Sequence, residues 1–168
     1  MADTLETLKS DLFAAPFCEG LDQDQLEVLL TCAHEERMPK GRFLFREGAA
    51  ADYFYIIVTG RVGLELNCPN RGGLSIQTCD AGDVVGSSWL IPPCIWRFDA
   101  KVLEECRLIS MDAAVLRERC KADPAFGYAM LERIAQVKAE RLDAARLQLL
   151  DVYGNPEEGR HVARTRIN

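Results

Sequence analysis

The apolar positions of this chain change their spacing twice. Between Thr4 and Phe17, Leu5, Leu8, Leu12 and Phe13 recur at helical intervals, an amphipathic segment that Pro16 ends. From Gln23 to Ala33, Leu26, Leu29, Leu30 and Ala33 fall at i, i+3, i+4 and i+7, which predicts a second helix. Asp22 stands where it can accept from the first free N–H groups, and Gln25 where it can reach back, as in a capping box.

At Met38 the period shortens. Runs rich in β-branched and aromatic residues (Phe43–Phe45, Tyr53–Val58, Val62–Leu66, Leu74–Ile76, Val84–Val85) occur among glycines every several residues: Gly41, Gly48, Gly60, Gly63, Gly72-Gly73, Gly82 and Gly86. Short strands bounded by turn residues predict an all-β sandwich or barrel, not βαβ units. Asp99–Val102 and Cys106–Met111 supply two further strands. Gly41, Gly48, Gly60 and Gly82 are expected at turns between strands, where positive φ is needed.

After Met111 the helical period returns. Asp112 is placed to cap a short helix through Cys120, and Asp123-Pro124 opens a longer one with an acid at the cap and proline at the first position. That helix is predicted to reach Tyr153, where Gly154 and Pro156 stop it; at about 1.5 Å per residue it exceeds ~40 Å. Leu131, Ile134, Leu142, Ala145, Leu149 and Val152 form its apolar stripe, interrupted by Lys138. The stripe either folds back onto the strands or meets a second copy, and a homodimer through this helix is the expectation. Residues 154–168 are polar and predicted to be a disordered tail.

Composition narrows the function classes. With 168 residues, 48% hydrophobic and 27% charged, the chain supports one core of ordinary size. Mean hydropathy is −0.08, and no apolar run approaches the ~20 residues of a spanning helix, so no membrane partner is expected. The start, Met1-Ala2-Asp3-Thr4, lacks the pattern of a signal peptide, and a cytoplasmic location is expected. Net charge is −6 with a pI near 5.0, and the only basic bias is Arg160, Arg164 and Arg166, which argues against nucleic acid. The seven cysteines are odd in number and form no C-x-x-C, so they read as reduced core residues, with one redox-active thiol as a minority reading. Only His34 and His161 are available to a multi-histidine site, so neither metal nor cofactor is expected. There is no G-x-x-x-x-G-K-[ST] loop and no G-x-S-x-G elbow, and Ser87 and Ser88 have no histidine near them in sequence. No catalytic residue is assigned, and the chain is not expected to be an enzyme.

The strand region resembles a known family. Residues 39–48 (Pro-Lys-Gly-Arg-Phe-Leu-Phe-Arg-Glu-Gly) and 51–62, followed by Ala81-Gly82-Asp83-Val84-Val85-Gly86, are similar to the opening strands and glycine–aspartate turn of the cyclic-nucleotide-binding domain, found in Crp/Fnr-type regulators and cyclic-nucleotide-dependent kinases. The resemblance spans roughly residues 20–150. It implies a mainly β fold with flanking helices: an eight-stranded double-stranded β-helix (jelly roll) plus a long C-terminal helix. The implied organisation is N-terminal helices at 1–35, a jelly roll at 36–111 with a phosphate-binding cassette at 82–102, C-terminal helices at 112–153 and the tail at 154–168.

The cassette departs from the family pattern. Ligand-binding members resemble F-G-E-[LI]-A-L followed by P-R-[AS]-[AST]; the glutamate holds the ribose hydroxyl and the arginine the cyclic phosphate. Here Gly86 and Arg97 match, but the glutamate position is Ser87, followed by Ser88, and the arginine is followed by Phe98 and Asp99. Loss of the carboxylate removes a charged hydrogen bond of about 1.5–3 kcal/mol. A standard cyclic nucleotide is thereby disfavoured relative to another small anion. Arg97 either captures that anion or pairs with Asp99. Trp89 and Trp96, the chain's two tryptophans, either stack on a planar ligand or, with Phe98, plug an obsolete pocket. Ligand contacts are therefore expected at Gly86, Ser87, Ser88, Trp89, Trp96, Arg97, Phe98 and Asp99. Fifteen residues follow Tyr153, too few for a helix-turn-helix reader, so direct DNA binding is not expected. The expected function is a stand-alone sensory module that signals through a dimer helix to a separate effector protein; the alternative is a ligand-free interaction scaffold.

Overall fold

The computed structural model describes residues 2–70 and 72–153, with the side chains of residues 2–4 and 152 outside the described set. Of the described residues, those up to 131 make one compact unit and those from 132 a second. Four helices, α1 (Ala2–Ala14), α2 (Gln23–Cys32), α3 (Ala113–Ala122) and α4 (Pro124–Tyr153), flank six strands: β1 (Ala33–Met38), β2 (Phe43–Phe45), β3 (Tyr53–Cys68), β4 (Gly72–Cys79), β5 (Val84–Val85) and β6 (Asp99–Asp112). All pairings are antiparallel. The long strands β3 and β6 pair at the centre, β4 and β5 lie along the outer edge of β3, and β1 and β2 along that of β6.

Six strands stand where eight are expected: two predicted breaks are continuous backbone, which turns the seven predicted runs into five, and β1 (Ala33–Met38) is a sixth that the sequence pattern did not predict. Gly60 was expected at a turn between strands; instead β3 runs through it from Tyr53 to Cys68, with register shifts between Ile57 and Val62. Its φ of 95° and the backbone of Glu105 and Cys106, packed where a Cβ would stand, explain why glycine occupies the bend. Asp99–Val102 and Cys106–Met111 are likewise two halves of β6. Each bent strand serves as two, which is how a rolled sheet forms without cutting the chain.

Alternation along the paired strands makes two apolar faces. Tyr55, Ile57, Val62, Leu64, Val85, Ala100, Val102, Cys106 and Leu108 pack as one cluster inside the roll. Phe54, Ile56, Ile109 and Met111, at the alternate positions, are also buried. Phe17, just after α1, meets Phe54 at 4.9 Å between ring centroids, and Arg107 on β6 is paired with Asp11 on α1 at 2.7 Å.

Local chemistry places the helix ends. Asp22 and Gln25 form the expected reciprocal box, with bonds of 2.8 and 3.1 Å. The helix stops one residue early, at Cys32, because Ala33 is already extended and paired with Met111. Asp112 accepts from the Val115 N–H, and Asp123 from those of Ala125 and Phe126. On α4, Leu131, Leu142, Ala145 and Leu149 are exposed, whereas Ile134 of the same predicted stripe is buried. Val152 and the predicted tail lie outside the described side chains and residues.

Candidate functional site

The cassette begins where β5 ends. Val84 and Val85 pair with Ile56 and Tyr55, and Gly86 then turns the chain at φ 90° into a single helical turn, Ser87–Trp89. The glycine is required twice, by that φ and by Trp96, whose Cη2 lies 2.7 Å from where a Cβ would be. The return arm is held against residues 47–51. Gly48 donates to the Trp96 carbonyl at 2.9 Å, Trp96 donates to that of Ala49 at 2.9 Å, and Ala51 donates to that of Cys94 at 2.8 Å.

Neighbouring residues of this arm have opposite fates. Trp96 is 4% exposed, its ring stacked on Phe45 at 3.8 Å and 11°, with Tyr55 beyond Phe45 at 6.4 Å. Burial pushes the Tyr55 hydroxyl pKa upward, with Glu36 and other nearby groups adding to it, so Tyr55 remains a neutral phenol. Arg97 is exposed, and its guanidinium has no hydrogen-bond or ion-pair partner among the described residues. Asp99 is buried again, but its carboxylate is committed elsewhere: it accepts from the Glu47 N–H at 2.7 Å and pairs with Arg46 Nε at 3.1 Å. The anticipated alternative in which Asp99 neutralises Arg97 is therefore replaced by an Arg46–Asp99 pair.

The two tryptophans do not share a wall. Trp89 is fully buried against Phe54, at 5.9 Å between centroids, and Phe54 leads on to Phe17. Arg117 of α3 donates to the Trp89 carbonyl at 2.8 Å. The Trp89 Nε1 has no hydrogen-bond partner among the described residues. Ser87 is buried, and Ser88 and Phe98 are half-buried. Gly86, Trp96 and Phe45 are thus brought together; Trp89 belongs to a different cluster, and Arg97 faces outward.

Phe45, Arg46, Tyr55 and Arg117 were not singled out in the sequence. Each meets the cassette through strand register or helix packing, for which no local motif exists. His34, the one histidine among the described residues, is exposed on β1 opposite Ser110. Among those residues no group of three His, Cys, Asp or Glu side chains could hold a metal ion, and no helix is long and apolar enough to cross a membrane. The arrangement leaves the exposed Arg97 guanidinium uncommitted next in sequence to a buried aromatic stack, and a free guanidinium suits charge-assisted anion binding.

Known proteins share this architecture. The chain is 25% identical over 149 residues to a CRP-like cAMP-activated global transcriptional regulator of Mycobacterium tuberculosis, covering 89% of this chain and 65% of the regulator. It is 29% identical over 67 residues to a cAMP-dependent protein kinase regulatory subunit of Blastocladiella emersonii, covering 40% and 17%. The chain thus spans just under two thirds of the regulator and a small part of the kinase subunit. A cyclic nucleotide-binding domain from Methylobacillus flagellatus superposes with a TM-score of 0.73 at 19% identity, over 89% of this chain and 84% of that one. The family model described as the cyclic nucleotide-binding domain matches residues 35–123, just over half the chain, from β1 to the start of α4. By that match, and by the rolled sheet and glycine-turned cassette beneath it, the chain belongs to the cyclic nucleotide-binding domain family.

Proposed function

We propose that this chain is a cytoplasmic, non-enzymatic sensory module that takes a small anionic ligand at the cassette. It signals as a homodimer, through α4, to a separate effector protein. The observation that carries the ligand reading is the state of Arg97: a cassette guanidinium left without a partner among the described residues, while Asp99, the acid nearest to it in sequence, is held by Arg46. A ligand there gains a charge-assisted contact without first breaking an ion pair. Ser87 stands where the pattern of the family's ligand-binding members has its glutamate, with Ser88 beside it. That favours an anion read mainly through its charge, with cyclic nucleotides among the candidates.

The homodimer reading rests on the exposed Leu131, Leu142 and Leu149, together with Leu147, Leu150 and Tyr153. Light scattering should give a dimer mass that Leu142→Glu with Leu149→Glu reduces to a monomer.

Intrinsic fluorescence tests the ligand reading. In a Trp89→Phe background Trp96 is the reporter, adjoining Arg97. Titration with cyclic AMP, cyclic GMP and inorganic phosphate should give a saturable change with at least one of them, and Arg97→Ala should abolish it. A flat response to every anion favours the second reading, a ligand-free scaffold. That reading is supported by the Trp96 ring, which fills the space between Phe45 and Gly86.

A further inference from the structure

A second charged surface lies around β2 and is independent of Arg97. Sequence position scatters its members: Lys40 and Arg42 precede the strand, Arg46 follows it, and Lys101 enters from β6 by pairing with Phe43. In a chain of net charge −6 these four cations gather at one strand. The acids beside them are Glu47, Asp99 and Glu65, and Asp99 is consumed by the Arg46 pair. Lys40, Arg42 and Arg46 are exposed, and Phe43, Leu44 and Phe45 are each half-buried.

Two features distinguish this rim from cations that merely repel neighbouring strands, a common use of charge at sheet edges. First, two of the four cations are held in place. The Arg46 guanidinium lies 4.1 Å from the centroid of the Phe43 ring while Asp99 grips its Nε, and the Lys101 ammonium lies 5.7 Å from the same centroid. Cation–π contact and the ion pair fix both charges before any partner arrives, which lowers the ordering cost of binding. Second, β2 pairs with β6 alone, leaving its other edge without a strand among the described residues. Along that edge, charged residues bracket the apolar run Phe43-Leu44-Phe45.

We infer that the β2 edge docks an extended acidic peptide of a partner protein, added as a strand, whose carboxylates flank a short apolar stretch. Main-chain hydrogen bonds to β2 supply part of the affinity, as in strand addition generally. Lys40 and Arg42, which have no acid partner among the described residues, supply the charge complement, and Phe43 offers the apolar contact beside them. This surface does not use Arg97, although its strand adjoins the cassette through the Phe45–Trp96 stack and the Arg46–Asp99 pair.

The test uses the full chain and a labelled synthetic peptide, Glu-Glu-Val-Thr-Ile-Thr-Val-Glu-Glu, with fluorescence anisotropy and amide chemical shifts as readouts. Saturable binding is expected, weakening as salt is raised, with shift changes centred on Phe43–Phe45 and Lys101. Lys40→Glu with Arg42→Glu, both exposed and outside the core, should weaken it about tenfold, the sum of a few exposed ion pairs. Phe43→Leu should weaken it without altering its salt dependence. Arg97→Ala should leave peptide binding unchanged, so failure here and failure of the cassette reading are separately visible. The inference is overturned by absence of saturable binding, by equal binding of an all-glutamate peptide, by indifference to the double charge reversal, or by shift changes at the cassette or helices instead of β2. A mass increase without peptide that the charge reversal removes would assign the surface to a second copy and overturn it equally.

Discussion

Trp89 and Trp96 lie seven positions apart in one cassette, yet the fold treats them as parts of different structures. Trp89 is enclosed by Phe54, with its carbonyl held by Arg117 of α3. Trp96 is enclosed by Phe45 on the inner face of the roll, with its backbone zipped to residues 48 and 49. The first half of the cassette is thus tied to a helix and the second to the sheet. The segment between them, Leu90–Ile95, is the part not fastened by a buried ring. On the proposed reading a ligand at Arg97 would meet the sheet-tied half, whose route to α3 is β6, ending at the Asp112 cap.

The largest expected effect tests whether the helix-tied half is the more costly to lose. Trp89→Ala empties a fully buried site and should cost about 3–5 kcal/mol in denaturant unfolding. Trp96→Ala should cost less, because one face of its ring is covered by a single aromatic side chain and its backbone bonds survive the substitution. Equal losses would break the comparison. A gain of anion response in Trp96→Ala, read by isothermal calorimetry with cyclic AMP, would show that this ring fills the ligand space.

Gly86→Ala should come next, at about 2–4 kcal/mol, because it combines a φ of 90° with a methyl pressed against Trp96. The clash component is separable from the backbone component. Adding Trp96→Leu removes the ring and should recover part of the loss, so the double variant should be more stable than the sum of the singles predicts. Strict additivity would mean that Gly86 is needed for its φ alone.

These residues also show how far the sequence was readable. Helix caps, strand runs and the cassette glycine are local, and Asp22, Asp112, Asp123 and Gly86 stand where short-range rules place them. Strand number was misjudged because a glycine in a β run ordinarily marks a turn, whereas Gly60 marks a bend inside a 16-residue strand. The site was less legible than the fold. Asp99 was weighed against its near neighbour Arg97, but its partner is Arg46, more than fifty positions away and brought close by the β2–β6 register. The separation of the tryptophans depends on which face of the sheet each half of the cassette meets. Alternation within one segment cannot reveal that.

Asp99 is the hinge of the sheet-tied half, and its replacement should have an intermediate effect. Asp99→Ala removes the acceptor of the Glu47 N–H and releases Arg46, costing about 1–3 kcal/mol. Asp99→Asn keeps an acceptor and loses the charge, so it should cost less. Both variants should loosen residues 46–49, seen as faster amide hydrogen exchange there, while exchange near Trp89 is unchanged. Exchange that accelerates equally at both ends would show the cassette to be one rigid piece.

The smallest effect probes the helix side through its thiol. Burial, with Asp123 and Cys32 nearby, pushes the Cys120 pKa to about 11 from an ordinary value of 9.0. The unfolded chain therefore releases this proton at lower pH than the folded one. Stability is unaffected by Cys120 below about pH 9 and falls as pH rises from there towards 11, because the folded state binds more protons in that window. Cys120→Ser should flatten that part of the pH profile of thermal unfolding, by a modest amount because the thiol is only half-buried. The same shift holds Cys120 as a thiol at neutral pH, so alkylation should be slow until the protein unfolds. Rapid labelling of Cys120 in the folded protein would place a thiolate at the α2–α3 contact and revive thiol sensing on the helix side.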